Sequence, residues 1–238
     1  ASNNTGIGYY ALLSNTTGTQ NVAVGSLALD ANTIAGKNTA IGYESLGANT
    51  SGENNTAVGR FSLKNNISAT NNTAIGKDSL LSNTTGGSNV AVGANALDAN
   101  TTASNNTAVG YNSLTANTTG TRNTAVGGFA LDVNTTGNYN ASVGYASLGG
   151  NTTGHSNTAV GDASLVTNTT GHHLTGVGKD SLLSNTTGIN NTGVGVQAGD
   201  LTTEGDNNTS IGYQADPSSA TANNEVTLGN SSVATLRC

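Results

Sequence analysis

The chain is 238 residues long, with a net charge of −6, 8% charged residues, 33 Gly, one Pro, no Trp and no Met. Seven scattered Lys and Arg offer no basic surface for nucleic acid, and no apolar run is long enough for this segment to insert into a membrane. The composition is neither charge-rich nor Pro-rich, which separates it from disordered chains.

The lone cysteine, Cys238, leaves no internal disulfide and no cysteine-based metal site. No signal peptide is visible, and the chain opens in mid-repeat without Met, as a fragment or processed piece would.

A short apolar pair followed by glycine recurs every seventeen residues. The glycines run Gly8, Gly25, Gly42, Gly59 and on to Gly212 and Gly229, fourteen in register without insertion or deletion. Such a short strict period marks a stacked array in which each unit contacts its neighbours. Counting each unit from its glycine as position 0, position −1 is Val, Ile or once Leu, as in Val24, Val58, Val109 and Val160. Position −2 is small, and +3 is Ala or Ser. Position +4 is Leu in eleven successive units, among them Leu29, Leu63, Leu114 and Leu165. From +7 comes Asn-Thr-Thr-Gly or a close variant, as in Asn117-Thr118-Thr119-Gly120. Positions +1, +2, +5, +6, +11 and +12 vary freely. Constant columns are expected to face a confined interior and loose columns to face solvent.

Each unit is too short for two helices, and Asn, Thr, Gly and Val are poor helix formers. Thr-Ala-Val-Gly predicts a short strand. Asn-Thr-Thr-Gly predicts a turn, because Asn and Gly tolerate left-handed backbone, and glycines such as Gly25, Gly59, Gly110 and Gly161 permit a tight bend after each strand. The expected fold is all-β, a parallel β-solenoid of about fourteen seventeen-residue coils. With strands stacked at about 4.8 Å the rod would be on the order of 65 Å long. Asn columns at +7 and −4 are placed to form amide ladders. The repeat is regular over 1–199 and degrades over 200–238, where Gly199 and Asp216 replace the +4 Leu and Leu201-Thr202-Thr203-Glu204 replaces the usual turn. That end reads as terminal coils leading to a further domain.

Two sizeable aliphatic and two small residues per coil make a thin core for seventeen ordered residues. Burying one face of each coil against other copies would remedy this, so a homo-oligomer is expected, with three chains the favoured number.

Asn106-Thr107-Ala108-Val109-Gly110-Tyr111-Asn112-Ser113-Leu114 resembles the head repeat of trimeric autotransporter adhesins. That family's repeat is a left-handed parallel β-roll in which three chains associate, with a unit shorter than this one by the Asn-Thr-Thr-Gly insertion. The stretch Asn224-Glu225-Val226-Thr227-Leu228-Gly229-Asn230-Ser231-Ser232 resembles the segment that in many phage tail fibres leads into a self-cleaving chaperone domain. The resemblance implies a structural fibre shaft on a virion tail or an extracellular surface, projecting a receptor-binding tip. The alternatives are a bacterial trimeric adhesin head that binds host surfaces directly and a monomeric ice-binding solenoid.

Among individual residues, Ser45, Ser62 and Ser79 alternate at +3 with Ala11, Ala28 and Ala96, so small size rather than nucleophilicity is required there. Gly176-Val177-Gly178 and Gly193-Val194-Gly195 lack the strand–turn–helix context of a nucleotide loop. His155 and His172 share a column one coil apart with His173 adjacent, close enough in a stack to be weak metal candidates. No coil carries the run of Asp that calcium needs. Tyr9, Tyr43, Tyr111, Tyr145 and Tyr213 share column +1 and form a candidate receptor-facing stripe, with a cell-surface glycan as one ligand class. Ten Asn-x-Ser/Thr sequons start the turns, from Asn15 to Asn185, and are open to N-glycans only if they point outward. No fixed acid, base or nucleophile stands outside the repeat, so no enzyme and no cofactor are expected.

Overall fold

The computed structural model describes residues 1–233; Cys238, and with it the end of the 200–238 segment, lies outside the described residues. The chain divides into two compact units, Ala1–Arg122 and Asn123–Cys238. The first holds seven three-residue strands, from β1 (Thr5–Ile7) to β7 (Thr107–Val109). Each pairs in parallel with the next, displaced by one repeat, so that Ala23 faces Ala40 and Val24 faces Ile41. The second unit repeats the scheme from β8 (Thr124–Val126) to β14 (Val226–Leu228). Each unit is a parallel β-solenoid, one coil per repeat. The change at 199/200 is one of column chemistry within the second unit. Among the described residues there is no helix, and so none long and apolar enough to cross a membrane.

The repeat glycine is required twice over. Gly25 sits at φ 135°, and a Cβ there would lie 2.5 Å from the carbonyl oxygen of Gly42 in the next coil. Neither the conformation nor the contact admits a side chain. Three further positions, +2, +4 and −5, are left-handed without being glycine through the eleven coils that keep the +4 leucine; Phe61 (φ 58°), Leu63 (φ 53°) and Asn71 (φ 62°) are one set. For an L-residue this conformation costs about 1–2 kcal/mol. At +4 the cost is offset because the leucine is buried and its N–H donates to the next coil, Leu63 to the Ser79 carbonyl at 2.9 Å. At −5 the recurrent choice is Asn (Asn54, Asn71, Asn105, Asn190, Asn207), the non-glycine residue that tolerates this region best.

The interior combines leucine with amide. Leu29, Leu63, Leu114 and Leu165 are fully buried, as are the −2 alanines Ala23, Ala57, Ala108 and Ala159. Both expected asparagine ladders form. At +7, Asn66 Nδ2 donates to Asn49 Oδ1 (2.8 Å) and to the Ala69 carbonyl (3.1 Å). Asn83, Asn100 and Asn117 continue the column in the first unit, and Asn151, Asn168 and Asn185 form it in the second. At −4, Asn38 Oδ1 accepts the Asn55 N–H (2.9 Å) while Asn38 Nδ2 donates to the Gly52 carbonyl (2.8 Å). Buried backbone groups that a thin coil would otherwise strand are thereby satisfied.

One expectation is corrected. The −1 column does not face the interior of the chain: the strand buries its middle residue and turns its outer two away. Val24, Val58 and Val109 are half-buried and Val160 is 39% exposed. Leucine from +4 fills the coil, leaving room at −2 only for Ala, Gly or Ser. The larger β-branched residue then takes the outer side of the pleat.

Candidate recognition surface

Outside the interior, each coil exposes two faces: the strand face and the loose columns. On the strand face Thr at −3 and Val or Ile at −1 project together, since side chains two apart share a side of a strand. Ile41 (39%), Ile75 (40%), Val177 (36%) and Val194 (38%) exemplify an apolar column that remains partly open.

The five tyrosines at +1 all lie on the surface: Tyr9, Tyr43, Tyr111, Tyr145 and Tyr213 are 44–65% exposed. They are not brought together as one stripe, because other residue types stand between them in the column. Tyr9, Tyr43 and Tyr145 meet aromatics at +2, which sequence reading did not single out. Tyr9 stacks on Tyr10 with centroids 3.8 Å apart, Tyr43 meets Phe61 at 5.5 Å, and Phe129 meets Tyr145 edge-on at 5.8 Å. A signal was present: both phenylalanines of the chain occupy +2.

Around Phe61 the loose columns become charged. The Arg60 guanidinium lies 4.1 Å and the Lys64 ammonium 4.4 Å from the Phe61 ring centroid. Lys64 also pairs with Glu44 at 2.6 Å. That contact, with the hydrogen bond from Tyr43, holds the Glu44 carboxyl below its ordinary range.

The three histidines do converge. His155 stacks on His172 at 4.6 Å, and His173 stands edge-on to both, at 5.3 and 4.9 Å. Partial burial, then the two neighbouring imidazoles, lower the His155 pKa. Among the described residues no group of three or more His, Cys, Asp or Glu is arranged to hold a metal ion.

The +3 serines are internal. Ser45 and Ser62 are buried and donate to the Ala57 (2.9 Å) and Ala74 (2.8 Å) carbonyls. Nine of the ten sequon asparagines, Asn49 to Asn185, are likewise buried within the ladder and closed to glycan attachment in the folded chain. The turn threonines at +8 are spent on the stack as well, as where Thr84 Oγ1 donates to the Thr101 carbonyl at 3.1 Å.

The degenerate coils hold a feature the repeat concealed. Asp200, Gln214, Asp216, Thr227, Asn230 and Ser231 line a polar cavity of about 630 Å³. Burial first, then the adjacent Asp216 carboxylate, push the Asp200 carboxyl up to about 6.

Comparison with protein-family models gives no match, and comparison with curated proteins gives none either.

Proposed function

We propose that the chain is the shaft of a homotrimeric fibre, on a phage tail or a related extracellular surface, that holds a receptor-binding tip at a fixed distance. The outward Val/Ile column carries this reading. Every coil keeps a branched aliphatic residue at −1, yet leaves it partly open to water. A merely solvated position has no need of that constancy, since burial is what makes such a residue favourable, by about 1.5–3 kcal/mol when complete. Copies set side by side share the same coil spacing, so column meets column along the whole contact. Three chains around an axis close the set without leaving an open edge. The loose columns then face outward and carry whatever recognition the shaft performs, as they would in an adhesin head.

Light scattering on the purified chain tests this. A mass of three chains is expected, and a single-chain mass contradicts it. The second outcome would favour a water-ordering, ice-binding surface, because Thr at −3 and Val or Ile at −1 form a regular array on the same face.

A further inference from the structure

We propose that three successive coils of the first unit, those of Gly42, Gly59 and Gly76, bind an anionic saccharide, with Arg60 holding the anion and Tyr43 supporting the sugar ring. The proposal rests on the fibre reading only in that this face is outward. The site itself is built within one chain.

Tyr43, Arg60 and Lys77 occupy column +1 of these coils. The column is fixed by the Phe61 N–H to the Tyr43 carbonyl and the Asp78 N–H to the Arg60 carbonyl, both 3.0 Å. Adjacent side chains therefore leave the surface about 4.8 Å apart, a spacing that one sugar residue bridges. All three are open to solvent: Tyr43 is 44% exposed, the Lys77 side chain 55%, and Arg60 is exposed.

The charges are sorted so that Arg60 is available. Glu44 pairs with Lys64 at 2.6 Å, while also lying within the field of Arg60, and Asp78 pairs with Lys77 at 2.8 Å. Among the described residues Arg60 forms no ion pair. Its guanidinium instead lies 4.1 Å from the centre of the Phe61 ring. An aromatic contact of this kind restricts a long side chain while leaving its N–H donors free to fork a carboxylate or sulfate. Phe61 is itself held by left-handed backbone (φ 58°) and by Tyr43 at 5.5 Å.

The exposed Tyr43 ring offers a negative π face to the C–H face of a pyranose. Among the described residues Tyr9 has no such set: its ring partner is Tyr10, and no cation lies over either ring. A neutral sugar would leave Arg60 unused, and a bare anion would leave Tyr43 unused. The juxtaposition fits a ligand carrying both.

The test is calorimetric titration of the full chain with polysialic acid and dextran sulfate, with neutral dextran as control, at about 0.15 M salt. Saturable binding of at least one anionic polymer and none of dextran is expected. Arg60→Gln should weaken that binding about tenfold or more and Tyr43→Ser should also weaken it, both with unchanged melting temperature. Lys37→Gln, which removes an equal charge from another column, should leave it unaltered. No binding of either anionic polymer, equal binding of dextran, or equal losses in the Arg60 and Lys37 variants would overturn the proposal. A trimeric mass without binding would discard the saccharide site alone, whereas binding by a single chain would discard the fibre reading alone.

Discussion

Leu63 and Val58 lie five residues apart in the same coil; both belong to constant aliphatic columns, yet one is sealed and the other half-open. The leucine reaches across the coil from a left-handed backbone position and is enclosed by its neighbours. The valine sits on the outer side of a three-residue strand. Constancy at the first position reflects folding of a single chain. At the second, on the proposed fibre reading, it reflects contact between copies, and the two kinds of demand call for different experiments.

The largest effect should separate the columns outright. Leu63→Asp buries a carboxylate without a partner and should cost more than about 4 kcal/mol, enough to abolish a cooperative transition. Val58→Asp places the same charge on the outer face. Its far-ultraviolet circular dichroism should match that of the parent, while its mass by light scattering falls to one chain. Similar unfolding of both variants would erase the distinction.

A smaller effect tests whether the interior is a polar ladder as much as an apolar core. Leu174 interrupts the −4 asparagine column: it accepts no hydrogen bond from the next coil, although its own N–H still donates to Asn157 Oδ1 at 2.9 Å. Leu174→Asn restores an acceptor toward the Asn191 N–H and a donor toward the Gly188 carbonyl. The two added bonds and the newly satisfied Asn191 N–H are set against the lost apolar burial, and the expected outcome is a stabilisation of about 1 kcal/mol in denaturant melts. Destabilisation would mean that apolar burial dominates the column.

The smallest effect lies in the terminal coils, where the +7 ladder stops at Asn185 and carboxylates enter. Asp200 has its folded pKa raised from 3.8 to about 6. Folding therefore favours the protonated form. The associated stability is complete below about pH 4 and is lost as the pH rises through 6. Melting temperature should fall slightly across that window, and Asp216→Asn should flatten the fall. A profile unchanged by the substitution would contradict the coupling.

Much of the fold was legible because the repeat is strict. A seventeen-residue beat implied stacked coils, leucine held through eleven successive units implied an interior, and asparagine in two columns implied ladders. The direction of the −1 column was not legible. Ala57 and Val58 are both apolar, and a three-residue strand is too short for alternation to show which one turns inward. The small size of every −2 residue was the available clue: a coil already filled by leucine accepts only a small partner. The Phe61 cluster was hidden for the opposite reason, since it lies in columns whose variability made them look like solvated surface. Chemistry confined to one stretch of a repeat leaves no periodic trace. The Asp200–Asp216 pair escaped notice because it forms only where the repeat fails.

Cross-linking of engineered cysteines tests most directly whether the outer strand face is the interchain contact. In a Cys238→Ser background, Val58→Cys is oxidised in dilute solution beside Thr85→Cys, which places the thiol in an exposed turn. A disulfide requires Cβ atoms within about 3.5–4.5 Å, so only thiols brought together by association will join. Disulfide-linked dimers from Val58→Cys and none from Thr85→Cys are expected. Linkage through Thr85→Cys, or through neither position, would contradict the account.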